Sequence, residues 1–268
     1  MEGLPDPQRL HSPALVRFFG RVMARQMAAR FHAVRVARPG LPELPAGVPV
    51  LVYCNHPSWW DAALLILLAT RFYPGRRSFG PMDAEALRQY GFMRRIGLFP
   101  VAPGTAAGAV AFLKVGQQLL ERPDTMLWVT GEGAFTDPRR RPLCLRPGIA
   151  HLLVRLPRVI ALPLAIEYPF WSEKTPEALC RFGAPIDTAL MDGTSPAALH
   201  RLLEQRLETT LDALALAAQA RDPGAFIRLL RGRAGVGGVY DVWRRLRAWR
   251  RGEPFAAEHG AMAGEGRR

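Results

Sequence analysis

Between residues 49 and 190, short apolar runs alternate with stretches of helical periodicity, and this alternation limits the fold more than any other feature. Val50 to Cys54, five apolar residues after Pro49, reads as a buried strand. A helix over 59–70 follows, its start marked by Pro57 and Ser58. Next come a short strand at 78–81, a short helix at 84–90 ended by Gly91, and a strand at 98–101. The pattern continues with a helix at 106–120, a strand at 125–130 and a helix at 147–156. A strand at 159–166, a short one at 180–182 and a long helix at 196–219 complete it. Pro163 confines its strand to a sheet edge or a bulge, because proline has no N–H to give to a ladder. The expected class is α/β, a sheet sandwiched by helices.

The ends differ from this middle. Residues 14–36 read as one amphipathic helix, with Leu15, Phe18, Phe19, Val22, Gln26 and Ala29 at helical spacing. Arg17, Arg21 and Arg25 step by four along another stripe, and no acid interrupts the segment. Such a helix either lies in a membrane interface or packs on the domain with its arginines solvated. Residues 37–48 hold three prolines and two glycines and read as a linker. After residue 220 the chain turns Arg- and Gly-rich, a basic Trp/Arg helix is expected over 240–251, and the last 17 residues read as disordered. The expected division is a membrane-associating segment and linker at 1–48, a catalytic domain at 49–220 and a basic helical or disordered tail at 221–268.

A net charge of +13 favours anionic partners, lipid head groups or nucleic acid among them. No run approaches the roughly 20 apolar residues of a spanning helix, and no secretory signal is evident. Membrane contact should therefore be peripheral, on the cytoplasmic face of the inner membrane. The three cysteines, Cys54, Cys144 and Cys180, lack zinc-site spacing and read as reduced, buried thiols. None is a good nucleophile. No serine sits in Gly-x-Ser-x-Gly, and no His-Glu-x-x-His occurs, so serine and zinc hydrolases find no support.

The chemistry concentrates in Asn55-His56-Pro57-Ser58-Trp59-Trp60-Asp61. Of the six histidines, only His56 has an acid five positions on. A histidine on the turn before a helix can meet an acid in that helix's first turn. The acid then fixes the tautomer, leaving the other ring nitrogen to take a hydroxyl proton. A helix-capping His–Asp hydrogen bond without catalysis has the same spacing. Trp59 and Trp60 suit either an acyl channel or the core.

The stretch Val-Leu-Val-Tyr-Cys-Asn-His-Pro-Ser-Trp-Trp-Asp resembles the signature block of the lysophospholipid (glycerolipid) acyltransferase family, of the 1-acylglycerol-3-phosphate acyltransferase type. Gly97-Leu98-Phe99-Pro100-Val101 resembles its second block, and Val129-Thr130-Gly131-Glu132-Gly133 its third, where the family has Pro-Glu-Gly. Leu145-Arg146-Pro147-Gly148 is similar to the segment that follows, Leu162-Pro163-Leu164-Ala165 to the fourth block, and Phe182-Gly183-Ala184-Pro185-Ile186 to a late Gly-x-Pro-Ile element. The resemblance covers about residues 45–215. It implies a mixed sheet flanked by helices, and an acyl donor activated as a thioester on CoA or acyl carrier protein, with no further cofactor. His56 and Asp61 map onto the catalytic pair, and Glu132 and Gly133 onto an acceptor-holding block. Asn55 is placed beside them as a substrate-binding or turn residue.

Two positions depart from the family. Its second block ends in arginine where this chain has Pro103, and its third continues Thr-Arg where this chain has Ala134 and Phe135. Those arginines are expected to hold an acceptor phosphate. Either nearby arginines replace them, with Arg94, Arg95, Arg139, Arg140 and Arg141 the candidates and Arg139 the one chosen for the site, or the acceptor is altered to an amino-acid, sugar-bearing or other hydroxylated lipid. Two other readings stand beside acyl transfer: a lipid-binding relative without activity, and a basic nucleic-acid-binding module. The latter has no specific reading motif.

Overall fold

The computed structural model describes residues 6–191 and 193–233, together with Arg250. The helix expected at 240–251 lies outside the described residues except for Arg250. The elements in chain order are α1 (Pro7–Leu10), α2 (Pro13–Arg30), β1 (Ala33–Ala37), β2 (Val50–Cys54), α3 (Asp61–Phe72), β3 (Arg77–Asp83) and α4 (Ala84–Gln89). After a 3-10 turn at Gly91–Ile96 come β4 (Leu98–Val101), α5 (Ala106–Leu120), β5 (Thr125–Thr130) and α6 (Gly148–Leu153). The described elements close with β6 (Ile160–Glu167), β7 (Glu177–Phe182), β8 (Ile186–Asp187), α7 (Pro196–Ala220) and β9 (Phe226–Arg231).

The strands form one mixed sheet in the order β4-β3-β5-β2-β6-β7-β1-β9, with β8 also pairing β6. From β4 to β6 the strands are parallel. β7 is antiparallel to β6, β1 parallel to β7, and β9 antiparallel to β1. Burial on both faces is why β2 reads as an unbroken apolar run. Val50, Val52 and Cys54 point to a core shared with α2 and α3, which includes Met27, Leu64 and Leu68. Leu51 and Tyr53 point to the opposite core, built with α5, α6 and α7. At the α2–α3 crossing a Cβ on Gly20 would lie 2.8 Å from Thr70 Cβ, so glycine is what lets the helices touch.

Two segments differ from expectation. The helix expected over 14–36 ends at Arg30, and the fully buried Ala-Val-Arg-Val-Ala of β1 follows it. β-Branched residues alternating with arginine suit a strand better than a further helical turn. Within β1, Arg35 Nε pairs with the buried Glu177 Oε2 at 2.9 Å. β9 likewise comes from the stretch expected to be tail, so the sheet extends past 49–220 at both ends.

Pro163 lies inside the sheet, not at its edge. In an extended strand a residue's N–H and C=O point to the same side. The Pro163 carbonyl accepts from Gly183 N–H (2.9 Å), so its missing N–H faces the break between β7 and β8. Cys54 and Cys180 are buried as expected, whereas Cys144 is exposed because its loop runs over the surface. Among the described residues no helix is long and apolar enough to cross a membrane.

Candidate active site

β2 is the point where the connections of the sheet change direction, with β3, β4 and β5 on one side and β6, β7 and β1 on the other. Ligands of open α/β sheets bind at such points, beyond the carboxyl ends of the strands. Asn55 and His56 leave β2 there. Asn55 is 1% exposed, and its amide acts as one more rung of the ladder. Nδ2 donates to Ile166 O and Oδ1 accepts from Ile166 N–H, both at 2.9 Å. These bonds tie the turn to β6, so Asn55 is a holder of the turn. They correct the expectation of a substrate contact: both ends of the amide are occupied by backbone.

His56 is held from several sides. Its N–H donates to Glu132 Oε2 at 2.9 Å, and its carbonyl accepts from Thr136 N–H at 2.9 Å. Its Nδ1 lies 2.7 Å from Asp61 Oδ2. In this contact Nδ1 is the nitrogen that faces the carboxylate, and Nε2 is the one turned away from it. The imidazole is 22% exposed, so a substrate can reach it.

Asp61 is the first residue of α3, fully buried at the positive end of the helix. Ser58 N–H donates to its Oδ2 at 3.1 Å, and the Tyr168 hydroxyl donates to its Oδ1 at 2.8 Å. Burial, and then the neighbouring Asp61 charge, push the Tyr168 hydroxyl well above its ordinary range, so it stays a donor. Burial together with the charges of Asp61 and Glu132 also keeps Cys54 a neutral thiol.

The loop after β5 completes the site. It starts at Gly131, whose N–H donates to Cys54 O at 2.8 Å, and it closes on itself where Arg146 N–H donates to Gly131 O at 2.8 Å. Glu132 therefore grips the backbone of His56. Gly133 takes the left-handed conformation, with φ at 66°. Phe135, one of the two residues standing where the family continues Thr-Arg, is 63% exposed, with its ring centroid 4.5 Å from that of His56. Trp59, 70% exposed, adds a second aromatic nearby, while Trp60 packs against the core. The rim of the site is apolar.

Arg139 is not drawn to His56. Its guanidinium forms a two-pronged pair with Asp137, at 2.9 and 2.7 Å, in an exposed loop. That pairing raises the Arg139 pKa and holds the Asp137 carboxyl well below the usual range. Arg141 is engaged with Glu208 and Asp212 of α7. Both guanidiniums are thus engaged with carboxylates in the structure, and Arg139 is not among the residues gathered around His56. Tyr168 and Thr136 were not foreseen, and Phe135 was expected at the site only as a departure from the family's Thr-Arg. The Tyr168–Asp61 contact spans 107 residues, and no local pattern announces it. Among the described residues no group of three or more His, Cys, Asp or Glu could hold a metal ion.

Residues 35–167 match the family model described as Acyltransferase. No curated protein matches the chain. Among solved structures it resembles the 1-acyl-sn-glycerophosphate (LPA) acyltransferase PlsC from Thermotoga maritima. The TM-score is 0.53 and the identity 14%, over 76% of this chain and 79% of that one. At that identity the likeness speaks for the fold, a mixed sheet flanked by helices. Over residues 35–167 the chain therefore carries an acyltransferase domain, and the fold beneath it is a mixed sheet flanked by helices.

Proposed function

We propose that the protein transfers a fatty acyl group from a thioester, acyl-CoA or acyl-acyl carrier protein, to a hydroxyl of a lysophospholipid or related lipid. The observation that carries this reading is the 2.7 Å contact between His56 Nδ1 and Asp61, with Tyr168 and Ser58 fixing the carboxylate from the other sides. His56 Nε2 accepts the proton of the acceptor hydroxyl as its oxygen attacks the thioester carbonyl. Asp61 orients the ring and stabilises the imidazolium. The tetrahedral intermediate collapses with loss of the C–S bond, and the departing thiolate takes the proton back from Nε2. The products are an ester and a free thiol. No covalent acyl-enzyme is required, in keeping with the neutral Cys54. In this scheme Asn55 and Glu132 position His56.

An anionic membrane surface, on the cytoplasmic face, is where the acceptor would be met. α2 supports this, because it exposes Phe18 beside Arg17, Arg21 and Arg25, and Phe19 stacks on the partly exposed Phe92. Apolar and cationic groups together suit a lipid interface.

The test is thiol release from acyl-CoA and from acyl-acyl carrier protein, with and without lysolipid, comparing wild type with His56→Ala. Acceptor-dependent release that vanishes in the variant is expected. Release that persists in His56→Ala would end the general-base assignment.

A further inference from the structure

The segment before α6 lies on the loop that grips His56, and two glycines make room for it. A Cβ on Gly131 would lie 2.6 Å from Leu145 Cδ2, and a Cβ on Gly133 would collide with Arg146 Nε. Leu145 is buried, and its N–H donates to Glu204 Oε1 of α7 at 3.1 Å. Arg146 N–H is bound to Gly131 O. The backbone on either side of Arg146 is thus fixed, and its guanidinium lies across Gly133. The adjacent residue, Glu132, holds the His56 backbone.

Arg146 also differs from the arginines around it. Arg139 and Arg141 are paired with acids, whereas no described carboxylate lies within ion-pair distance of the exposed Arg146 guanidinium. An arginine held in place beside a catalytic turn, with its charge unspent, is prepared for a planar oxyanion. Phe135, two residues beyond Gly133, gives the same rim an apolar surface.

We propose that Arg146 is the substrate-positioning residue that takes a phosphate of the substrate, seated over Gly133 at the entrance to His56. The proposal rests on the transfer reading above for what the substrate is, but not for the anion contact itself. Phosphate is present in two substrates of that reaction, the acceptor's head group and the nucleotide of CoA. Arg146 binds and orients it, while the chemistry stays with His56.

The test uses the full chain as wild type, Arg146→Gln and Arg146→Lys. Acceptors are 1-acylglycerol 3-phosphate and the phosphate-free 1-acylglycerol; donors are acyl-CoA and acyl-pantetheine. Arg146→Gln should raise the KM of the phosphate-bearing substrate roughly ten-fold or more, as expected for loss of one charge-assisted bond. The kcat at saturation and the activity on the phosphate-free counterpart should change little, and Arg146→Lys should recover part of the affinity. A KM effect that follows the acceptor's phosphate places the anion in the head group, and one that follows CoA places it in the donor. Equal effects on charged and uncharged substrates, or none, would overturn the proposal. Calorimetric titration with a six-carbon 1-acylglycerol 3-phosphate provides a readout free of turnover. Arg146-dependent binding without any transfer would refute the transfer reading and leave this one standing. Binding equal in wild type and Arg146→Gln would refute this one for the acceptor.

Discussion

At the scale of single residues, the site is a carboxylate with three donors around it and one imidazole whose far nitrogen is open. Asp61→Asn keeps the shape but lets an amide N–H face Nδ1, which reverses the tautomer. A fall in kcat on the order of 1,000-fold or more is expected, with the fold intact by circular dichroism. Tyr168→Phe removes one donor from a buried charge and should lower kcat roughly ten-fold, with the acceptor KM nearly unchanged. A rate equal to wild type would show that Asp61 needs no second clamp. The His56–Asp61 pair was legible in the sequence because only five positions separate its members. Tyr168 was not, because sheet order brings it there from the end of a distant strand. For Arg139, nearness in sequence could not show that its guanidinium pairs with Asp137.

Secondary-structure elements show where sequence patterns suffice and where they fail. The helix at 106–120 and the strand at 125–130 were found at their observed bounds, because caps, turns and apolar runs coincide there. β1 and β9 escaped because arginines interleave with their apolar residues. In a strand that pairs at the side of the sheet, such residues look like a helix face or a tail. The α2–α3 contact gives a test at this scale. Gly20→Val sets a branched side chain against Thr70 and should destabilise the protein by about 1–3 kcal/mol, read as a lowered urea midpoint with an unchanged slope. β7 gives another. Burial pushes the Cys180 thiol up from 9.0 to about 12. A folded pKa above the unfolded one means that this contribution is whole below pH 9.0 and is lost as pH rises towards about 12. Denaturation midpoints measured between pH 8 and pH 11 should therefore fall more steeply for wild type than for Cys180→Val. Parallel slopes would deny that this thiol matters.

For the whole molecule, the sheet decides where the domain ends. A chain cut after residue 220 loses β9, uncovers the ladder edge of β1 and removes the buried Phe226 from the core shared with Trp171. Exposed edges of this kind recruit other chains. The product of that cut should aggregate or melt at a markedly lower temperature. The comparison with the full chain is made by light scattering on heating. The α/β class and the His56–Asp61 turn were readable because they depend on local periodicity and spacing. The limits of the sheet were not, because they depend on which distant strands close its flank.

The excursion between Gly131 and Arg146 begins and ends at one hydrogen bond, and only its first few residues touch His56. Its tip is consequently a cassette. Segments of other lengths or polarity can be exchanged between Asp137 and Arg140, short of the Arg141 tether to α7, while the turn that carries His56 keeps its footing. Choice of lipid can then diversify among descendants of such a chain, or under a designer's hand, with the scaffold beneath left untouched.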